Sequence, residues 1–291
     1  MVAVSYDTPA ILEAFSEQRG ITFPLLSDAD SKTIRAFGIL NPAVEWGLGA
    51  DKDDPIVVSE LRKYVSGTGR ATEMQRGMAL PGTFVVDKQG RVTSRYFEEF
   101  YVERPTSESI LLAVGAGTVP ISAKRVSSSQ LDFTTYVSDA AVAPGNRFSL
   151  VVDVVPRRGM HVYAPGADGY KSIALNLSAQ PFVQMSPTRY PASETYFFEP
   201  LNERVPIFQK PFRLVQEILL EGSAEAQAAL KGKESLTIAG TVDYQACDDT
   251  VCYNPVSVSV SWTVSLKDLI RERPTVTPET PTSPPSGGRD Q

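Results

Sequence analysis

The sequence predicts an α/β domain followed by an all-β domain, and two features of its apolar pattern indicate this. Up to about residue 115, apolar runs of strand length alternate with segments whose apolar residues recur at helical spacing. From about residue 118 the apolar runs are short and alternating, with turn residues between them. The clearest run is 256–264, where Val and Trp alternate with Ser and Thr. Such alternation is typical of a strand with one buried and one solvent-facing side, so the second half predicts a β-sandwich.

Strands and helices alternate in the prediction for the first half. Pro9 suits a first helical turn after Asp7 or Thr8, because its fixed φ matches the helix. The segment from Asp87 to Gly90 predicts a hairpin turn. Residues 41–77 show no clear period. The predicted elements are, in chain order, a strand at 2–5, a helix from residue 9, an extended segment at 21–26, a helix ending near residue 37, a strand at 81–87 and a helix at 107–114.

The second half predicts several strands and one short helix, at 224–230. The strands are expected at 148–155, 173–177, 212–220, 236–242 and 256–264. The end of the chain is rich in Pro, Thr and Ser and lacks aromatic residues, which is typical of disorder. We therefore predict an α/β domain at 1–117, a β-sandwich at 118–270 and a disordered tail at 271–291.

Composition and motifs argue against several classes of function. Lys and Arg number 28 against 34 Asp and Glu, and the resulting charge of −6 disfavours nucleic acid or an anionic membrane as the main partner. No segment approaches the roughly 20 apolar residues of a membrane helix, and no signal peptide is visible after Met1. There is no Walker or dinucleotide glycine motif, and two cysteines with one distant histidine fall short of a zinc site. We expect no cofactor, no metal, no nucleic acid and no membrane insertion; the oligomeric state is not fixed by the sequence.

The two cysteines, Cys247 and Cys252, lie five positions apart. A turn or two adjacent strands would bring their Cα atoms within the distance that a disulfide requires, and the polar residues between them suit a turn. Such a pair is a candidate for thiol–disulfide exchange. A static structural disulfide and two inert buried thiols remain open as alternatives.

Four segments of the first half follow the order of elements in the peroxiredoxin branch of the thioredoxin fold. They are VAVSYD at 2–7, FPLLSD at 23–28, IRAFG at 34–38 and PGTFVVD at 81–87. The first half therefore resembles a redoxin of the AhpC/TSA type. The resemblance implies an incomplete thioredoxin-like domain, since the first strand, first helix and catalytic cysteine of that family are missing. Pro81 stands where such folds have a cis-proline, although a rigid entry into the strand explains it equally well.

Peroxide reduction needs a low-pKa thiolate, and no cysteine precedes Cys247. Either the start codon is misplaced and the natural protein is longer, or this half is a degenerate scaffold. We expect the longer protein, because Met1 falls immediately before a core strand and a lost strand would expose a sheet edge.

The second half contains YQACDDTVCYNP at 244–255, followed by the alternating strand, and GMHVY at 159–163. From about residue 130 to 266 the chain resembles the N-terminal domain of the thiol:disulfide interchange protein DsbD. The resemblance implies an immunoglobulin-like fold and transfer of reducing equivalents between a thioredoxin-like donor and oxidised thiol proteins. It assigns the attacking, partner-facing role to Cys252 and the resolving role to Cys247. It also implies a periplasmic location, while the lack of a visible export signal leaves a cytoplasmic one open.

Aromatic residues of the same region are candidates for places beside the cysteine pair. His161 and Tyr163 are candidates for moving a proton during exchange, or are packed residues without that role. Tyr244 opens the cysteine motif. The segment Tyr196-Phe197-Phe198 lies where the DsbD family has a loop whose aromatic residue shields the disulfide, so the resemblance implies a cap. The alternative is that Phe197 and Phe198 are core or edge packing.

Asp248 and Asp249 lie between the two cysteines. Nearby carboxylates disfavour a thiolate, so we expect the free thiols to stay protonated until a partner docks. The alternative is that both aspartates are solvated turn residues.

The leading hypothesis is a thiol–disulfide oxidoreductase module that relays reducing equivalents through Cys247 and Cys252 to a redox partner protein. A second hypothesis is a peroxide reductase whose catalytic thiol lies on a missing N-terminal segment. A third is a non-enzymatic β domain that binds partners and is braced by a structural disulfide.

Overall fold

β-Strands dominate the protein, and its helices are few and short. The computed structural model describes residues 1–62, 69–97, 102–116, 119–198, 202–248 and 250–269. The chain divides between residues 97 and 98 into two compact units. The predicted tail at 271–291 lies outside the described residues.

The strands described in the first unit form two separate two-stranded sheets. The elements of this unit are β1 Ala3–Ser5, α1 Pro9–Arg19, β2 Leu25–Ser27, α2 Lys32–Ala36, α3 Pro42–Gly47, α4 Pro55–Leu61, a 3-10 turn at Glu73–Gln75, β3 Gly82–Val86 and β4 Val92–Phe97. β1 pairs in parallel with β2, and β3 pairs in antiparallel with β4. The helices at residues 41–61 bury Val44 and Leu61 in a small apolar cluster of their own.

The predicted single α/β sheet is not formed by the described residues, so the incomplete thioredoxin-like architecture is not confirmed. Val4 and Leu26, which lie opposite each other in the β1–β2 pair, are 42% and 50% exposed. Apolar periodicity identifies the extended segments correctly. It does not identify their partners, because strand pairing depends on residues far apart in the sequence.

The hairpin turn between β3 and β4 is confirmed. The Asp87 carboxylate accepts the backbone N–H groups of Gln89 and Arg91, and Gly90 has a φ of 79°. A left-handed φ favours glycine, so the turn chemistry fixes the hairpin. Of the two alternatives for Pro81, the rigid entry into the strand is the one observed: the described residues contain no cis peptide bond, and this proline leads directly into β3.

Strands make up most of the second unit. Its elements are β5 Arg104–Pro105, α5 Ser107–Ala113, β6 Ile121–Ser127, β7 Leu131–Val137, β8 Ala141–Val142, β9 Asn146–Pro156, β10 His161–Tyr163, β11 Ala174–Leu177, β12 Val183–Met185, β13 Glu194–Phe198, β14 Glu203–Phe208, β15 Phe212–Leu220, α6 Ala224–Leu230, β16 Ser235–Tyr244, β17 Ala246–Cys247 and β18 Val256–Leu266. All five strands and the short helix predicted for the sandwich are present within one or two residues of their expected bounds.

Two sheets form an immunoglobulin-like sandwich, and a smaller sheet completes the unit. The first has the order β12-β15-β9-β7-β6, with β5 also paired to β9, and the second has the order β11-β16-β18-β8. Alternate side chains of these strands meet in one apolar core. The Trp262 side chain is 2% exposed there, and its indole N–H donates to the Val151 carbonyl oxygen at 3.0 Å. The smaller sheet, so called because its strands are short, has the order β13-β14-β10-β17 and carries Cys247.

The helix predicted to close the first domain lies in the second unit. α5 places Leu112 against Tyr136 and Val151, and the hydroxyl oxygens of Ser109 and Ser149 are 2.7 Å apart. The units therefore divide at residues 97/98 and not at 117/118. An amphipathic pattern predicts that a helix packs on a sheet, but it does not say which sheet.

In the described part of the chain, no helix has the length and apolar character needed to cross a membrane.

The two tryptophans provide a test of where the stability lies. Trp262 is 2% exposed and Trp46 is 51% exposed. We expect Trp262→Ala to lower the free energy of unfolding of the sandwich by about 3–5 kcal/mol, since it leaves a cavity and an unpaired carbonyl. Trp46→Ala, as the control, is expected to change it by about 0.5 kcal/mol or less. Urea unfolding followed by circular dichroism measures both, and equal losses would contradict the assignment of Trp262 to the core.

Candidate functional site

Cys247 and Cys252 form a disulfide at the edge of the smaller sheet. Cys247 ends β17, directly opposite His161 of β10, and is 1% exposed. Cys252 is exposed and lies opposite Cys247 across the hairpin, with the two Cα atoms 4.0 Å apart. The Tyr253 backbone N–H donates to the Ala246 carbonyl oxygen at 2.9 Å and closes this hairpin. One sulfur therefore belongs to a buried strand and the other to a solvent-facing loop.

Strand β10 brings the site and the sandwich core together. Successive side chains of a strand point to opposite faces. Val162 is accordingly buried in the sandwich core, while Tyr163 contributes to a second cluster around Cys247. We call this second group the aromatic cluster; its members are Tyr163, Ala167, Val205, Ile207 and Cys247, with Tyr170 and Tyr196 partly buried against them. The His161 ring contacts the rings of Tyr163 and Tyr196, with centroid distances of 5.9 and 5.0 Å.

The Tyr163 side chain contacts both sulfurs of the disulfide. Its hydroxyl oxygen lies 3.2 Å from Cys247 Sγ and 3.4 Å from Cys252 Sγ. A disulfide sulfur carries no proton, so the hydroxyl is the donor. Burial, followed by the neighbouring Tyr170, Tyr196 and Glu203, raises the pKa of Tyr163 to about 12. The hydroxyl therefore remains a donor throughout the pH range in which thiols titrate.

A second tyrosine extends this polar arrangement outward. The Tyr170 ring stacks on that of Tyr163 with the centroids 4.2 Å apart, and its hydroxyl donates to Glu203 Oε2 at 2.9 Å. That hydrogen bond raises the pKa of Tyr170 above its ordinary value. Glu203 lies at the start of β14, so the smaller sheet holds this carboxylate one ring beyond the cysteines.

The Asp248 carboxylate organises the loop between the cysteines. Its Oδ1 atom accepts the backbone N–H groups of Thr250 and Val251 at 2.8 and 2.7 Å, and the Thr250 hydroxyl at 2.8 Å. Its Oδ2 atom accepts the Tyr253 hydroxyl at 2.8 Å. The backbone hydrogen bonds, with the two hydroxyls, hold the pKa of Asp248 well below its ordinary value of 3.8. Asp249 lies outside the described residues.

Two regions of the chain match known families. Residues 1–95 match the AhpC/TSA family, and residues 134–262 match the family of the N-terminal domain of the thiol:disulfide interchange protein DsbD. Both resemblances found in the sequence are thereby confirmed. Together the two matches point to thiol–disulfide redox chemistry, and the second region contains the cysteine pair.

Relatives of the first region are candidate peroxiredoxins from Mycobacterium tuberculosis, strains CDC 1551 / Oshkosh and H37Rv. Each is 30% identical over an alignment of 90 residues, and the match covers 28% of this chain and 56% of the relative. The chain thus spans about half the length of these relatives.

Three solved structures resemble the chain at low identity. The N-terminal periplasmic domain of ScsB from Proteus mirabilis shares 10% identity at a TM-score of 0.35, covering 50% of this chain and 51% of that one. The reduced DsbD N-terminal domain from Neisseria meningitidis shares 13% identity at a TM-score of 0.28, covering 40% and 81%. The yeast GGA1 GAE domain shares 10% identity at 0.28, covering 48% and 96%.

Within the DsbD-like region, the structure brings some of the predicted site residues to the disulfide and places others elsewhere. His161, Tyr163 and Asp248 adjoin the cysteine pair. Tyr244 does not: its side chain is fully buried in the sandwich core and its hydroxyl donates to Ser128 Oγ at 2.7 Å. Burial raises the pKa of Tyr244. The alternation of β16 turns this residue inward, which the cysteine motif alone does not reveal.

Of the two aromatic side chains described in β13, Tyr196 packs against the aromatic cluster and Phe197 does not. Phe197 is 43% exposed, and the Arg204 guanidinium lies 5.3 Å from its ring centroid. Adjacent residues of a strand face opposite sides, so only one of the two can cover the cysteines. The side chain of Phe198 lies outside the described residues.

Sequence reasoning missed Tyr170, Glu203 and Tyr253, all of which bind groups of the site. Tyr253 carried a detectable signal, since it follows Cys252 directly. Tyr170 and Glu203 are far from the cysteines in the sequence and carried none. Among the described residues, no group of three or more His, Cys, Asp or Glu is arranged to hold a metal ion.

The raised pKa of Tyr163 predicts a late titration. Wild type and Tyr163→Phe are expected to give the same tyrosinate absorbance up to about pH 10, because an ordinary tyrosine is half ionised there but Tyr163 is not. Because the pKa of Tyr163 is higher in the folded state, its protonated form contributes fully to the free energy of unfolding below pH 10. This contribution is lost as the pH rises towards about 12. Spectrophotometric titration measures the difference, and an extra tyrosine ionising at pH 10 in the wild type would contradict the burial argument.

Proposed function

We propose that Cys247 and Cys252 are a dithiol/disulfide couple that relays reducing equivalents between partner proteins. The observation that supports this best is the unequal exposure of the two joined residues: Cys252 is exposed while Cys247 is 1% exposed. An incoming thiolate has access to one sulfur only, so Cys252 is the partner-facing atom and Cys247 the resolving one.

In the reductive half-reaction, a thiolate of a reduced dithiol donor attacks Cys252 Sγ. The disulfide breaks, Cys247 leaves as a thiolate, and a mixed disulfide joins Cys252 to the donor. The second thiolate of the donor then attacks the donor sulfur of that bond and releases Cys252, so the donor departs as a disulfide. In the oxidative half-reaction, Cys252 attacks an acceptor disulfide and Cys247 resolves the intermediate. The couple takes up two electrons and two protons in the reductive half-reaction and gives up the same number in the oxidative one.

Tyr163 serves the step in which Cys247 leaves. A thiolate at a buried position lacks water, and the Tyr163 hydroxyl lies 3.2 Å from this sulfur as a replacement donor. The His161 ring, between those of Tyr163 and Tyr196, helps to hold Tyr163 in place. Phe197 has no place in this step, since it faces away from the aromatic cluster.

The partners belong to two chemical classes, a thioredoxin-like dithiol donor and an oxidised thiol protein. A periplasmic location suits the couple, because disulfides persist there. The first unit supplies no thiolate of its own, since the sequence has no cysteine before Cys247. The function proposed here therefore depends on the second unit.

The reduction potential of the couple tests the relay. Thiol alkylation across a series of redox buffers is expected to give a value above about −300 mV, in the range of exchangeable pairs. A lower value would indicate a structural disulfide and support a partner-binding β domain instead.

Single-cysteine variants test which sulfur faces the partner. In Cys247→Ser the remaining exposed thiol is expected to attack oxidised glutathione, forming a mixed disulfide and releasing one glutathione thiolate, at least about tenfold faster than the buried thiol left in Cys252→Ser. Mass spectrometry of quenched samples measures both rates. Equal rates, or a faster Cys252→Ser variant, would reverse the proposed roles.

A further inference from the structure

The residues on both sides of Cys252 are bound by one carboxylate. Asp248 accepts the backbone N–H of Val251, which precedes Cys252, and the hydroxyl of Tyr253, which follows it. Two further hydrogen bonds, from the backbone N–H and the hydroxyl of Thr250, hold the same carboxylate in the loop. Asp248 itself directly follows Cys247. The carboxylate therefore joins the segment of one cysteine to the segment of the other without using either sulfur.

The backbone strengthens this connection. The Asp248 N–H donates to the Val251 carbonyl oxygen at 2.9 Å, and the Tyr253 N–H donates to the Ala246 carbonyl oxygen at 2.9 Å. The Val251 N–H, in contrast, binds the Asp248 side chain. The side chain thus closes a turn that places Cys252 opposite Cys247, as in an Asx-turn.

We propose that Asp248 is a positioning residue for the couple, holding Cys252 opposite Cys247 while the disulfide is open. This inference rests on the proposed relay function. When Cys252 is in a mixed disulfide with a partner, the Cys247 thiolate must attack Cys252 Sγ, form the intramolecular bond and release the partner thiolate. A loop already held in the closed geometry raises the effective concentration of one sulfur at the other. Closure is then faster, and the disulfide is more stable towards reduction.

A different effect of Asp248 is its charge, which would disfavour a thiolate at either cysteine. Two substitutions separate charge from geometry. Asp248→Asn removes the charge but keeps an oxygen that accepts the Thr250 and Val251 N–H groups. Asp248→Ala removes both the charge and the oxygen that accepts these N–H groups. The matched control is Asp132→Ala on β7, which removes an aspartate whose carboxylate lies 3.2 Å from Arg157.

The experiment measures the equilibrium constant for disulfide formation against glutathione in the full-length chain. We expect Asp248→Ala to lower this constant at least about tenfold, which corresponds to a potential about 30 mV less negative. Asp248→Asn is expected to lower it by about threefold or less, because one to two hydrogen bonds weaken. Asp132→Ala is expected to match the wild type. The pH dependence of alkylation gives the Cys252 thiol pKa in the same samples.

The outcomes separate the inference from the proposed function. A wild-type disulfide that does not exchange with glutathione would overturn the relay itself. An exchanging wild type with Asp248→Ala within about twofold of it would overturn the positioning role. Equal changes in Asp248→Asn and Asp248→Ala, with the Cys252 thiol pKa lowered in both, would assign the effect to charge and likewise overturn positioning.

Tyr253→Phe guards against loss of folding in Asp248→Ala. It removes only the hydrogen bond to Oδ2 and leaves the turn-closing bonds in place. The expected result is a decrease of about threefold in the same direction. No decrease in Tyr253→Phe, with Asp248→Ala unfolded by circular dichroism, would contradict the inference.

Discussion

Strand β10 hydrogen-bonds to β14 on one side and to β17 on the other, and these pairings position the side chains around the disulfide. Val162 enters the sandwich core, whereas His161 and Tyr163 turn towards the cysteines. A slip of one residue would place Val162 beside Cys247 and turn the Tyr163 hydroxyl into the apolar core. Burial of Val162 therefore fixes the register, so the stability of the sandwich determines the geometry of the site.

Hydrogen bonds fix the orientation of the two carboxylates of the site, those of Asp248 and Glu203. Asp248 is turned towards the amides of its own loop, and Glu203 receives the Tyr170 hydroxyl. Tyr163, the group that does contact both sulfurs, stays uncharged because burial raises its pKa to about 12. Around pH 8.5, where thiols titrate, the Asp248 carboxylate therefore stays negative and the Tyr163 hydroxyl stays neutral. The sulfurs of the disulfide therefore face a neutral donor.

Local patterns in the sequence predicted local features well. The alternation at 256–264 gave β18, the segment from Asp87 to Gly90 gave a hairpin, and the cysteine motif located the site. The failures were long-range. The strands described in the first unit do not join into one sheet, and α5 packs on strands of the second unit. Glu203 reaches the site through the pairing of β14 with β10, and Tyr170 through its stacking on Tyr163. Periodicity shows that a segment is extended or amphipathic, but its partner is chosen by contacts that no short window contains.

The one-sided exposure of the disulfide also limits the order of events in the proposed relay. Since Cys252 is the exposed residue of the pair, electrons would both enter and leave this relay through its sulfur. A donor and an acceptor cannot both be bonded to it, so each must dissociate before the other binds. Such a module works by a ping-pong scheme, in which the two partners compete for one docking face. The two proteins would then share whatever features recognise that face, although they carry opposite oxidation states.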